Sequence, residues 1–147
     1  MTATPAVQAI APACKGSQMS GRFAVVRGSA GAGNIVYKLT LTNRSNRTCT
    51  LTGLPQVTLL SKAERALPTR VRPANPGALA AVLVTLKHGQ RTFATARFSP
   101  DVPGPGETGR QCEPKAWWLR VLGGIVPIVP PTSVCEHGQL QFTAYSI

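Results

Sequence analysis

Acidic residues are scarce in this chain. Of 147 residues, 5 are Asp or Glu against 16 Lys or Arg, a formal net charge of +11, and Asp101 is the sole aspartate. A Ser-His-Asp system needs an acid to orient its histidine, and glycoside hydrolysis needs two facing carboxylates. The scattered Glu64, Asp101, Glu107, Glu113 and Glu136 supply neither pattern, so no catalytic residues are expected and the chain is read as a non-enzyme. Close ligand pairs are missing as well. Structural zinc sites draw two Cys or His from one turn, whereas the four cysteines lie far apart and His88 and His137 each stand alone before a glycine. No metal or cofactor is expected. No apolar run reaches the ~18 residues of a membrane-spanning helix, so no membrane span is expected. Eight aromatics, 4 Phe, 2 Trp and 2 Tyr, do not alternate with basic residues as a single-strand stacking platform would. No helix-turn-helix, zinc-finger or RNP-like motif accompanies the charge, so nucleic acid is not an expected partner. The glycine-rich stretch from Gly28 to Asn34 lacks the Lys-Ser/Thr ending of a phosphate cradle.

What is present starts with Cys14, Cys49, Cys112 and Cys135. An even number at wide spacing predicts two disulfides and an oxidising compartment, secreted or otherwise extracytoplasmic, though three connectivities remain open. The opening residues 1–13, rich in Ala and Pro, have neither the basic start nor the apolar core of a signal peptide. They read as a disordered linker or tail, with any targeting or anchoring segment lying outside this sequence. Residues 14–147 fit one domain, long enough to bury a real core and expected to be monomeric.

Charge is unevenly distributed. Residues 1–100 hold 13 of the basic residues and a single acid, Glu64. Many of these cations are expected in turns: Arg44 and Arg47, Lys62 and Arg65, Arg70 and Arg72, Lys87 and Arg91. Such a field concentrates polyanions such as acidic lipid headgroups or anionic cell-wall polymers. A merely solvated surface is the plainer alternative.

Strand patterns dominate. Residues 35–42 alternate, with Ile35, Tyr37, Leu39 and Leu41 on one face and Val36, Lys38, Thr40 and Thr42 on the other, which predicts a strand buried on one side. Residues 22–27, 56–60, 79–86, 91–98, 116–122 and 140–145 complete a set of about seven, rich in β-branched and aromatic residues. Glycine at His88-Gly89 predicts a hairpin turn there. Residues 100–111 and 127–133, broken by prolines, are expected to be extended surface loops. Short strands without βα alternation predict an all-β, immunoglobulin-like antiparallel β-sandwich of about seven to nine strands, stapled by two disulfides. Within residues 115–121, alternation places Trp117, Leu119 and Val121 in the core and Trp118 outward beside Arg120. An exposed indole next to a guanidinium is a candidate platform for a sugar ring or a partner's side chain. Asn43-Arg-Ser and Asn46-Arg-Thr match the glycosylation acceptor pattern but read as a polar turn.

The segments Gly28-Ser-Ala-Gly-Ala-Gly-Asn34, Leu41-Thr-Asn43 and Cys49-Thr-Leu-Thr-Gly-Leu-Pro55 follow one another as glycine-rich turn, Thr-Asn strand end and Cys-Thr-Leu-x-Gly-x-Pro. With Cys112, Leu119-Arg-Val121 and Cys135 in order behind them, the chain from Cys14 onward resembles a secreted, lipoprotein-type actinobacterial family, domain-of-unknown-function family 4232. Leu54 stands where that family usually has an aromatic residue, and Gln56 where a glycine is common. The resemblance implies a secreted or envelope-tethered β-sandwich with sequentially paired disulfides, and it carries no activity, ligand or catalytic residue. The expectation is therefore a non-catalytic interaction module of the bacterial cell envelope, for an envelope protein or, alternatively, an anionic wall polymer or glycan held by a basic face. Trp118, Arg120, Arg44 and Arg47 are its candidate binding residues; an uncharacterised hydrolase is the third reading.

Overall fold

A computed structural model describes residues 10–76 and 82–147 of the chain. Its strands, in chain order, are β1 (Met19–Val25), β2 (Ile35–Asn43), β3 (Cys49–Leu51), β4 (Val57–Leu60), β5 (Arg70–Pro73), β6 (Val84–Leu86), β7 (Arg91–Phe98), β8 (Ala116–Val121), β9 (Gly124–Thr132) and β10 (Gln139–Phe142). One sheet of eight strands runs in the order β4-β8-β9-β1-β2-β7-β10-β5, and β3 pairs with β6 in a small second sheet. The helical content is slight, with a 3-10 turn at Gly16–Gln18, one turn of helix, α1 (Gly109–Cys112), and a helix-like turn at Cys135–Gly138.

The predicted alternation of β2 holds through Leu41, and Thr42, expected on the polar face, is buried. Tyr37, Leu39 and Leu41 are buried, while Lys38 points out between them. β2 is flanked by β1, with Phe23 opposite Leu39, and by β7, with Ala96 opposite Tyr37. The large sheet bends across the core at β9. Residues Gly124 to Pro127 of that strand pair with β8, and the next two, Ile128 and Val129, pair with β1. Inward side chains from both wings therefore meet in one cluster that includes Phe23, Tyr37 and Leu39 on one side and Leu59, Leu119 and Val121 on the other, with Leu51, Val84 and Leu86 of the small sheet added. Fully burying side chains of this size contributes roughly 1.5–3 kcal/mol each. The ring of Tyr37 lies 5.2 Å from Phe23 and 5.1 Å from Phe98, and its hydroxyl donates to the Pro130 carbonyl at 2.8 Å. Residues 66–69 hydrogen-bond back onto β4, through Leu67 N–H to the Leu59 carbonyl at 2.8 Å and Leu59 N–H to Thr69 Oγ1 at 2.9 Å. The two ends of the sheet order thus come together.

The all-β sandwich expected from the sequence is present, and most pairings are antiparallel. Two are parallel, β1 with β9 and β5 with β10. Residues 127–133, expected as a loop, lie mostly within β9, the strand at the bend. The hairpin expected at His88-Gly89 is a turn, with φ of +80° at Gly89, but β6 and β7 do not pair with each other: β6 joins β3, and β7 lies between β2 and β10. The chain crosses there from one sheet to the other. Of the expected strand 79–86, residues 79–81 lie outside the described residues and Val84–Leu86 is strand. Residues 1–9 of the expected tail are likewise outside them. The last residues of that tail are tied to β3, since Thr50 N–H donates to Pro12 and Cys14 N–H to Thr50 at 2.9 Å each.

The disulfides are sequential, Cys14 with Cys49 and Cys112 with Cys135, at Cα separations of 4.7 and 4.9 Å. In the chain-entropy model, loops of these lengths stabilise the fold by roughly 3 to 4 kcal/mol each. Asn43 is fully buried and committed to structure, its amide donating to the carbonyls of Arg47 at 2.8 Å and Leu86 at 2.9 Å. That placement closes the first sequon to a glycan.

Candidate functional site

Strand parity sorts the basic residues. Residues directly opposite in a ladder share a face, and the registers put Arg22 opposite Thr40 and Thr40 opposite Phe93, Lys38 opposite Thr95, and Thr42 opposite Arg91. Further along, Arg97 faces Val36 and Gln141, Gln141 faces Arg72, and Gln139 faces Arg70. Their sequence neighbours Phe23, Leu39, Ala96 and Leu140 are in the core. Six exposed cations, Arg22, Lys38, Arg70, Arg72, Arg91 and Arg97, therefore share the outward face of β1, β2, β7, β10 and β5.

The middle of this face is a shallow cleft of about 630 Å³ lined by Arg22, Lys38, Arg44 and Arg91 together with Ser20 and Phe93. The Lys38 ammonium lies 4.2 Å from the centroid of the Phe93 ring, a cation–π contact that holds the lysine against the sheet. Arg44, just past the end of β2, donates from Nε to Ser20 Oγ at 3.0 Å. No carboxylate lines the cleft. Among the described residues no Lys or Arg has a carboxylate oxygen within 4.0 Å; the sole ion pair joins His137 to Glu107. All five acids lie in loops or turns, and Glu107, Glu113 and Glu136 gather around α1 and the Cys135 turn. Among the described residues these cations thus have no ion-pair partner, and their field adds.

The candidates named from sequence divide. Arg44 belongs to the cleft, whereas Arg47 turns into a neighbouring depression with Lys15. Trp118 and Arg120 lie on β8, beyond β9, opposite Pro127 and Ile125. Trp118 is half-buried, its Nε1 donating to the Lys62 carbonyl at 3.4 Å. Trp117 is not in the core. A register shift between Ala116 and Trp118 breaks the alternation, so Ala116 and Leu119 point inward and Trp117 is left half-buried with the Lys62 ammonium 4.9 Å from its ring centroid. The expectation that cations sit in turns holds for Arg44, Arg47, Lys62, Arg65 and Lys87. Arg70, Arg72 and Arg91 are instead on strands, as are Arg22, Lys38 and Arg97, which the sequence did not single out as a group. The polar face of residues 35–42 already carried Lys38, and the even spacing of Arg91 and Arg97 was the available signal for β7.

The other cluster lies where β7 ends and β10 begins, with Cys135 N–H donating to the Ser99 carbonyl at 2.8 Å. The Glu107 side chain is 2% exposed and accepts N–H groups from Glu136 and His137 at 2.6 Å each and from Gly104 at 3.2 Å. Glu136 and His137 have φ of 58° and 59°, and Gly138 of 77°. Successive left-handed residues aim consecutive N–H groups at one point, a nest for an anion, and here Glu107 fills it. Burial pushes the Glu107 carboxyl up, but the N–H groups of His137, Gly104 and Glu136 and the nearby imidazole outweigh burial and hold it below its ordinary value of 4.5. His137 Nδ1 is 3.8 Å from that carboxylate with no serine hydroxyl in reach, and His88 Nδ1 contacts the backbone carbonyl of Ser45 at 3.0 Å. Glu107, Cys112 and Cys135 place possible ligand atoms within 4.8 Å of one another. Both sulfurs are bonded in the disulfide and the carboxylate is committed to backbone N–H groups, so the cluster fits a structural latch and not a metal site.

A disulfide-stapled β-sandwich with an unpaired cationic sheet face is the class of domain these features define. The sequence model of a domain of unknown function (DUF4232) matches residues 14–133, and the chain belongs to that family. No curated protein and no solved structure matches it.

Proposed function

We propose that the domain is a non-catalytic binding module of the extracytoplasmic space that holds an anionic ligand of the cell envelope on the outward face of its large sheet. The observation that carries this reading is the alignment of Arg22, Lys38, Arg91 and Arg97 on three adjacent strands with no acid among them. A merely solvated basic surface intersperses both signs. Here no acid stands on the face: Glu107, Glu113 and Glu136 gather around α1 and the Cys135 turn, and Glu64 and Asp101 lie in other loops. The two disulfides favour an oxidising compartment. The module needs no bound metal or cofactor, and acts as a monomer.

Titration of the oxidised protein with a sodium polyphosphate chain tests the proposal. Binding is expected to weaken steeply with salt. Replacing Arg22, Lys38, Arg91 and Arg97 together with Gln is expected to lower affinity at least about tenfold, if each lost contact is worth several tenths of a kcal/mol or more. Replacing Arg110 and Lys115, which lie off the face, leaves it unchanged. Losses from the two sets in proportion to the number of charges removed would show that net charge alone acts and would defeat the proposal.

A further inference from the structure

The cations of the sheet face form a track. Arg22 of β1 stands opposite Thr40, and Lys38 is the outward residue of β2 before Thr40. Lys38 in turn stands opposite Thr95, and Arg97 is the outward residue of β7 after Thr95. Each step crosses one strand and advances one outward position. From Arg97 the rung continues through Gln141 of β10 to Arg72 of β5, where Arg70 is the next outward residue. Strands lie about 4.8 Å apart and outward residues about 6.8 Å apart along a strand, so Arg22–Lys38 and Lys38–Arg97 are each about 8 Å, Arg97–Arg72 about 10 Å and Arg72–Arg70 about 7 Å. The path follows neighbouring strands for roughly 33 Å along the surface.

A compact anion meets neighbouring members of this track and leaves the others unpaired, whereas a linear one meets them in succession. Twist turns each strand by about 20–25° from the next, so the face from β1 to β5 follows no plane. A chain with rotatable links conforms to it, and a rigid or flat ligand does not. A phosphodiester chain with a three-carbon linker has six backbone bonds per repeat, the number in two peptide residues, and so repeats at about 7 Å when extended. That length is close to the steps of the track. Neutral hydrogen-bonding side chains stand beside the cations on the same rungs: Thr40 next to Arg22, Thr95 next to Lys38, and Gln141 between Arg97 and Arg72. They suit hydroxyls on the linkers. A base-stacking platform is not offered, because Phe93 is the one aromatic on the outward side of these strands and the Lys38 ammonium lies over its ring. Resting on the anion-binding reading above, we infer that the ligand of this face is a linear polyol phosphodiester. Its backbone lies along the track from Arg22 to Arg70, with phosphates on the cations and linker hydroxyls on Thr40, Thr95 and Gln141.

The test is calorimetric titration of the full oxidised chain with glycerol phosphate oligomers of three and of eight units, with inorganic polyphosphate, and with an oligothymidylate of eight nucleotides. The trimer covers Arg22, Lys38 and Arg97, and the octamer overreaches the whole track. The octamer is expected to bind about fivefold more tightly than the trimer, from two further contacts. Its affinity should also fall more steeply with salt, the log–log slope differing by about 1.4, at about 0.7 per phosphate contacted. Arg70→Gln with Arg72→Gln is expected to weaken the octamer about fivefold and abolish the extra slope, while trimer affinity stays at the wild-type value. The length dependence of the unmodified protein is a readout independent of the variant. Polyphosphate binding combined with equal affinities for trimer and octamer, with indifference to the double substitution, or with oligothymidylate bound as tightly as the octamer overturns this inference and leaves anion binding standing. Failure to bind any probe overturns both.

Discussion

Replacing Glu107 with Gln removes a carboxylate whose side chain is 2% exposed. The carboxylate accepts two N–H groups at 2.6 Å and a third at 3.2 Å, from residues held in left-handed geometry. Left-handed conformations at Glu136 and His137 cost roughly 1–2 kcal/mol each, so the turn forms because the carboxylate holds it. Gln keeps one acceptor oxygen and turns an NH₂ toward a backbone donor. Losing a charge-assisted bond and leaving one N–H facing a donor costs about 2–4 kcal/mol at neutral pH, the lower end applying if water reaches His137, which is 42% exposed at its side chain. The pH dependence follows from the lowered carboxyl. A group whose folded pKa lies below its unfolded one contributes stability in full above the unfolded value, here 4.5, and loses it as pH falls through the folded value. Urea unfolding of both proteins across that range should show the gap between wild type and Glu107→Gln wide at neutral pH and narrowing below pH 4.5. A gap that stays constant across the range would refute the latch, because the cost would then come from packing and not from charge.

Other perturbations have comparable handles. The Tyr145 hydroxyl is buried without a hydrogen-bond partner among the described residues, so Tyr145→Phe should raise stability near neutral pH by about 1 kcal/mol. Burial pushes that phenol from 10.0 up to about 12. Its contribution is complete below pH 10.0 and lost as pH rises toward 12, roughly 2–3 kcal/mol in all; alkaline melts of Tyr145→Phe should lack that part of the decline. Removing the Cys112–Cys135 bond by paired Ala substitutions should cost roughly 3 kcal/mol in denaturant unfolding. Because Cys135 directly precedes the Glu107 nest, hydrogen exchange at Glu136 and His137 should speed up with it. At Gly138 a Cβ would sit 1.8 Å from the Pro68 carbonyl oxygen, at φ of +77°. Gly138→Ala should destabilise by roughly 2–4 kcal/mol, and a wild-type melting temperature would contradict the close approach.

Much of the sandwich was legible because its central strands are long enough to show a period. β7 alternates over eight residues and β2 from Tyr37 to Leu41, and that alternation gives most of the buried and exposed sets. β3 and β5, of three and four residues, are too short to display a period and exist through their partners. β9 was missed because prolines argue against a strand flanked on both sides. It tolerates Pro127 by changing neighbours there, pairing with β8 from Gly124 to Pro127 and again at Thr132, and with β1 at Ile128 and Val129 in between, so the missing N–H falls where one ladder gives way to the other. The misplacement of Trp117 follows from the register shift after Ala116, which no composition signals. For the candidate face, the sequence revealed the excess of cations but not their common side. Arg22, Lys38, Arg91 and Arg97 come from three segments whose registers are set by tertiary pairing, and Arg72 joins them through a parallel pair with β10. Glu107, Glu113 and Glu136 likewise gather because the Cys112–Cys135 bond brings 107–113 to 136.

Amide chemical-shift mapping of the oxidised protein titrated with polyphosphate tests the central claim most directly. The account predicts saturable shifts at Arg22, Lys38, Arg91 and Arg97 and their strand neighbours, fading with added salt, while amides around Glu113 stay still. Shifts concentrated instead around α1 and the Cys135 turn, or no shifts at low salt, would contradict it.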